Sequence, residues 1–357
     1  MASYAEALQA LESYRGALLE GQLNESVTAS ALSKRGTAAF TRKAPLTNVH
    51  ATGVGLRTKN GKISGKTFVI KVYVFDKRDL GAKVPALTSK SFDGVQIDIE
   101  RLPIQQALAK KKAATKAKKA AAGATAQTTP PEHQARRRPL QGGIQIAPAG
   151  VNYVGTLGGM VKRGDTYFML SNNHVLADTN RRPLGSHIGQ QFGASVNDLV
   201  ATLSDYEPIL FPSDGVTPRN KMDAAIATLD NTNLHTVPGQ MFGIPNYVAQ
   251  IGSPIPGMAV TKSGRTTGVT QGSVVATNVS GVQVNYGTKA NPLVATFDGC
   301  VLMLGDGGPF SSPGDSGSFI LGSESGRAVA LLFAGDGTYT TACDMTAVCT
   351  RFQVMPA

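Results

Sequence analysis

The chain has 357 residues, with 35 Lys and Arg against 24 Asp and Glu, a formal charge of +11. It is long enough for two domains. No run approaches the roughly 18 to 20 apolar residues of a membrane span, and no CxxC or HExxH pattern suggests a metal site.

In chain order, the first segment, 1–35, opens with helical spacing. Tyr4, Ala7, Leu8, Leu11, Tyr14, Ala17 and Leu18 fall on one face, with Glu and Arg on the other. Met1–Glu6 shows neither a basic start nor an apolar core, so no secretory leader is expected. Residues 36–108 read as a small α+β accessory unit. Val54–Arg57 and Phe68–Phe75 suggest strands joined by a turn at Asn60-Gly61, and Gly94–Glu100 alternates as a further strand.

Residues 109–141 read as a basic low-complexity linker. Within 109–138, nine Lys and Arg stand against Glu132 alone, so +8 of the chain's +11 is local. Such a segment offers little apolar surface to offset its ordering entropy. Salt-sensitive contact with nucleic acid through 109–138 is the lesser alternative to a plain tether.

Residues 142–357 form the last unit. Short Val/Ile/Thr runs separated by Gly, Pro, Asn and Asp read as antiparallel strands of a barrel or sandwich. Examples are Val260–Ser263, Val269–Asn278, Val282–Tyr286, Leu293–Phe297 and Val329–Phe333. Three cysteines, Cys300, Cys343 and Cys349, cannot all pair within one chain, so reduced thiols and a cytoplasmic setting are expected.

Three motifs carry chemistry. Gly314-Asp315-Ser316-Gly317-Ser318 puts a serine on a tight glycine-flanked turn, where backbone N–H groups can converge on an oxyanion. A serine hydroxyl needs a base. His174 follows the strand-like Thr166–Leu170 and Ser171-Asn172-Asn173, which suits a fixed imidazole. Asp223 leads into the apolar Ala224-Ala225-Ile226-Ala227, an expensive place for a carboxylate unless it is hydrogen-bonded. The order His, Asp, Ser belongs to the chymotrypsin fold.

These contexts, SNNHVLA, MDAAIATL and PGDSGS, together with Ser263-Gly264-Arg265-Thr266-Thr267-Gly268, resemble the trypsin-like serine peptidases. The likeness is nearest to bacterial members with an N-terminal accessory domain, a group similar to the plant NARROW LEAF proteins. It implies a mainly β protein, a chymotrypsin-like double antiparallel barrel preceded by the α+β unit and the helix. It implies a serine endopeptidase with His174, Asp223 and Ser316 as triad and the N–H groups of Gly314 and Ser316 as oxyanion hole. No cofactor is called for. A protein or peptide substrate is implied, and a regulatory partner is conceivable. A catalytically silent barrel scaffold is the competing reading.

The resemblance also implies a primary pocket with Phe310 at its base and Phe333, Ala334 and Gly335 along one wall. Without a buried carboxylate such a pocket favours small or apolar side chains, unless Asp306 or Asp336 points inward. Arg136-Arg137-Arg138 before Pro139 resembles an activation site, whose freed N-terminus would pair with Asp315. An exposed tether, nicked without purpose, is the simpler reading.

Overall fold

The computed structural model describes residues 2–19, 49–59, 61–75, 90–107, 110–111, 131–190, 198–230 and 236–357. Residues 20–48, the turn residue Asn60 and 112–130 of the expected linker lie outside the described residues.

The protein is mainly β, as expected. Six antiparallel strands close a ring: Ala259–Gly264, Gly268–Ser280, Cys300–Gly305, Tyr339–Asp344, Arg327–Gly335 and Phe319–Gly322, the last pairing back with the first. Valines, leucines and alanines alternate inward, and Val260, Val274, Val301, Met303, Ile320 and Leu332 share one apolar cluster. A closed ring leaves no free sheet edge.

The preceding residues build a second sheet. Gly159–Arg163, Thr166–Ser171, Ala225–Leu229, Leu199–Tyr206, His187–Gly189, Gln145–Pro148 and Tyr153–Thr156 follow one another in it, all antiparallel. The C-terminal Met355–Pro356 caps one edge by pairing with Gly159–Arg163. Ile144, Ile146, Leu157, Met169, Val175 and Ile188 are among its fully buried side chains.

The helix Tyr4–Leu19 forms where the spacing predicts, and buries Ala7, Leu11 and Tyr14. Strands Val49–Lys59, Lys62–Val74 and Val95–Arg101 lie beside it, sharing its apolar cluster. Strand 49–59 also hydrogen-bonds to Gly268–Ser280, so the ring's sheet continues into the N-terminal strands. Arg15 donates to the carbonyls of Thr52 and Asn278, and Tyr4 pairs with Thr277. Buried Lys71 lies 2.8 Å from Asp98 and 3.2 Å from Glu100, and Tyr339 of the ring donates to Glu100. The segments read separately as 1–35 and 36–108 thus meet in one cluster, and both are tied to the ring.

The end of the expected linker is anchored. His133 is buried and bonds Ser263, Arg136 pairs with Asp198, the Arg137 guanidinium lies 3.7 Å over the Phe242 ring, and Arg138 reaches Gln190. A free tether through 131–141 is therefore the wrong description of these residues. Their hydrogen bonds and aromatic contacts hold them against the ring and the second sheet. Among the described residues, no helix is long and apolar enough to cross a membrane.

Candidate active site

Strand Thr166–Ser171 delivers Ser171 and Asn172 into a short helical turn, Asn173–Leu176, which carries His174. Its side chain is nearly fully buried. Asp223 precedes strand Ala225–Leu229, which pairs with 166–171 and so brings the two residues together. His174 Nδ1 lies 2.5 Å from Asp223 Oδ2, and the His174 backbone N–H donates to Oδ1 at 3.1 Å. An ionised carboxylate only accepts, so Nδ1 carries a proton and Nε2 of the neutral ring presents its lone pair. Nε2 is buried and has no hydrogen-bond partner among the described residues.

Asp223 itself is completely buried and held from several sides. The Tyr286 hydroxyl donates to Oδ2 at 2.8 Å, Asn172 Nδ2 donates to the backbone oxygen at 2.7 Å, and the backbone N–H meets Cys343 Sγ at 3.2 Å. Burial, and then the Asp223 charge, push the Tyr286 pKa well above its ordinary value, so it remains a donor. Sequence reading missed Tyr286 and Cys343. Both lie on strands, or at strand ends, far along the chain, with no local motif to mark them.

Ser316 sits in the loop joining ring strands Cys300–Gly305 and Phe319–Gly322, wholly buried. Its Oγ donates to the Phe333 carbonyl at 3.3 Å. It does not bond His174, so the expected Ser–His hydrogen bond is not made in this rotamer. The loop is pinned on both sides. Thr156 N–H donates to Ser316 O and Thr156 Oγ1 to Gly314 O, both at 2.8 Å. Gly317 N–H donates to Leu332 O. A Cβ on Gly317 would lie 2.1 Å from Ser171 Oγ, so only glycine lets the Ser316 loop approach the strand that leads to His174 this closely. Among the described residues, no acceptor meets the N–H groups of Gly314 and Ser316.

Asp315 has a resident cation. Lys262 Nζ lies 3.5 Å from Oδ2, and both side chains are fully buried. Thr266 N–H, Thr267 N–H, Thr267 Oγ1 and Ser312 N–H also donate to the carboxylate. Lys262 in turn donates to Thr267 Oγ1 and to Gly268 O. Burial pushes the lysine pKa down, and Asp315 pushes it back up. The idea that Asp315 awaits a freed N-terminus after Arg138 thus loses its chemical basis. The carboxylate is already paired, by a lysine that no sequence pattern marked.

Phe310 is buried in the ring's interior cluster, with its ring 5.9 Å from Lys262 Nζ. Phe333 belongs to a different cluster and packs on Phe297 at 4.9 Å. The two phenylalanines expected around one pocket therefore sit in separate apolar clusters. Phe333, Ala334 and Gly335 do form the strand edge beside Ser316. Asp306 is exposed on a loop. Asp336 accepts from Thr338 N–H, Tyr339 N–H and Gln105 Nε2.

No family model matches the chain, and no curated protein is similar to it. Solved structures similar to it are trypsin- and chymotrypsin-like serine proteases. A glutamic-acid-specific serine protease, described as using a histidine triad in substrate binding, is 21% identical over 61% of this chain and all of its own, with a TM-score of 0.43. Thermobifida fusca protease A is 18% identical, over 61% of this chain and 97% of its own, at 0.43. Cellulomonas bogoriensis chymotrypsin is 16% identical, with the same coverage, at 0.41.

Proposed function

We propose that the protein is a serine endopeptidase acting through His174, Asp223 and Ser316. The observation that carries this reading is the buried His174–Asp223 pair, whose Nε2 has no partner among the described residues, on the turn that follows Ser171, against which Gly317 of the Ser316 loop is packed. In this reading Ser316 Oγ leaves Phe333 O and engages Nε2. The hydroxyl then attacks the peptide carbonyl carbon while its proton passes to Nε2. Asp223 stays ionised and, with Tyr286, fixes the ring and offsets the imidazolium charge. The N–H groups of Gly314 and Ser316 meet the oxyanion. The imidazolium protonates the leaving amine, and water, deprotonated by His174, frees the acyl group.

The preferred substrate side chain is small or apolar, since neither Asp306 nor Asp336 offers a free carboxylate at the strand edge. Three unpaired buried cysteines favour a reducing, cytoplasmic setting. Labelling with a fluorophosphonate, mapped to Ser316 by mass spectrometry, tests the reading. Wild-type protein labels at Ser316, and Ser316→Ala neither labels nor hydrolyses a peptide library. A Ser316→Ala protein that cleaves at the wild-type rate ends it.

A further inference from the structure

The candidate triad is split between two sheets. Ser316 lies on a loop of the ring, whereas His174 and Asp223 sit at strand ends of the second sheet. Proton transfer needs the two halves closely aligned, since a misplacement of about 1 Å can cost about a hundredfold in rate. Phe168, Leu170 and Ile226 of the second sheet share one apolar cluster with Phe319, Leu331 and Phe333 of the ring. Apolar burial is non-directional, so it brings the sheets together without by itself fixing their register.

A directional tie crosses the same boundary at the C-terminal helix. Met345–Phe352 follows directly on ring strand Tyr339–Asp344, and Asp344 caps it by accepting from Ala347 N–H. Its Met345, Val348, Cys349 and Phe352 side chains are buried in the shared cluster. Arg351, in the last turn, reaches across to the second sheet. Its Nη1 and Nη2 donate to the two carboxylate oxygens of Asp205 at 3.0 and 3.3 Å. Its Nε donates to Glu207 Oε2 at 2.5 Å, and Nη2 also meets the Tyr206 carbonyl at 3.3 Å. A planar guanidinium makes such a set of bonds in one orientation, so the fork sets direction as well as distance.

Glu207 is where this tie meets the His174–Asp223 pair. Its backbone N–H donates to Ala224 O at 3.0 Å, one residue beyond Asp223. Its backbone carbonyl accepts from Asn173 Nδ2 at 2.6 Å, one residue before His174. Asn173 is fully buried and bonded in both directions to Asn180, which in turn bonds both backbone groups of Ile209. Segment 207–209 therefore braces the neighbours of both His174 and Asp223, and Arg351 grips its first residue.

We infer that Arg351 is a positioning residue: through Glu207 it sets the His174–Asp223 pair against Ser316. This rests on the endopeptidase reading above. Arg351 makes no hydrogen bond to the pair or to Ser316 among the described residues. The Phe333–Gly335 edge belongs to the ring itself, so loss of Arg351 slows the chemical step without weakening capture of a ligand there. Without the guanidinium, the Asp205 and Glu207 carboxylates lose their shared counter-charge and repel each other, and the brace shifts.

The test follows fluorophosphonate labelling of Ser316 in the full-length protein at increasing probe concentration, which separates the limiting rate from the half-saturating concentration. Urea unfolding alongside confirms that each variant is folded. Arg351→Met is expected to lower the limiting rate about tenfold or more and to leave the half-saturating concentration within about twofold. Arg351→Lys keeps the charge but not the fork, and should recover part of the rate. Glu207→Ala should slow labelling as well, and Arg351→Met/Glu207→Ala should fall by less than the product of the two single effects, because both act on one brace. A folded Arg351→Met, or failing that an Arg351→Lys, that labels at the wild-type limiting rate overturns the assignment and leaves the endopeptidase reading standing. A change confined to the half-saturating concentration, or effects that multiply in the double variant, overturns it too. If the wild-type protein does not label at Ser316, both readings fall.

Discussion

Lys262→Met isolates the electrostatics around Asp315, the residue before Ser316. It removes a fully buried ammonium 3.5 Å from a fully buried carboxylate. At an effective dielectric constant of about 20, that separation corresponds to roughly 5 kcal/mol of attraction. Four donors to Asp315 remain, from Thr266, Thr267 and Ser312, and they hold the carboxylate partly in place. The expected loss is therefore about 3 kcal/mol, the lower end for breaking a buried pair by removing one partner. The double variant Lys262→Met/Asp315→Asn removes the stranded charge as well, and should recover at least about 1 kcal/mol of that loss. Urea unfolding midpoints of the wild type, both single variants and the double variant complete the cycle. Fluorophosphonate labelling rates report whether the Gly314–Ser316 turn keeps its shape. Additive single-variant losses, with no recovery in the double, would refute the claim that Lys262 serves as the counter-ion of Asp315.

Tyr286→Phe deletes one of the hydrogen bonds to Asp223 Oδ2. Bonds to a charged group contribute about 1.5–3 kcal/mol, so labelling of Ser316 should slow about tenfold or more, with the unfolding transition retained; an unchanged rate removes Tyr286 from the site. Gly317→Ala places a methyl 2.1 Å from Ser171 Oγ and 2.3 Å from Thr156 O at a φ of +95°, and should cost about 3 kcal/mol or more, read from the urea midpoint. Burial holds the His133 pKa down at about 4 from 6.5, with Lys262 acting in the same direction. The unfolded chain binds that proton first, so the contribution is complete above about pH 6.5 and lost as pH falls through 4, to a limit of about 3 kcal/mol. His133→Gln should flatten that part of the stability profile, and an identical acid dependence would dismiss the group. Deleting residues 1–108 strips strand 49–59 from strand 268–280 and should yield insoluble protein rather than an unleashed enzyme; a soluble truncation with a cooperative transition contradicts the shared sheet.

The parts of the site legible in the sequence were those written in consecutive residues. The glycine turn at 314–317, the histidine at the end of an apolar strand and the aspartate entering another each carry their physical reason within a few positions. The ring's strands were legible because short Val/Ile/Thr runs are set off by turn residues. What stayed hidden depends on pairing between distant segments. Lys262 reads as an ordinary polar residue of an alternating strand until the hairpin folds over Asp315. Tyr286 and Cys343 reach Asp223 only after the sheets close. The linker reading failed at its C-terminal end for a related reason. His133, Arg137 and Arg138 look solvated by composition, but Ser263, Phe242 and Gln190 supply partners that no local window contains.

The structure argues against activation by chain cleavage after Arg138. A cut after Arg138 would free an amino terminus at Pro139, but its prospective partner Asp315 is enclosed by Lys262 and four further donors. Admitting a second cation would mean expelling the first, and would gain no new charge compensation. The residues around that point are also held by Gln190 and by the pairing of Leu140–Gly142 with Thr236–Met241, which resist the extended, accessible conformation a protease requires.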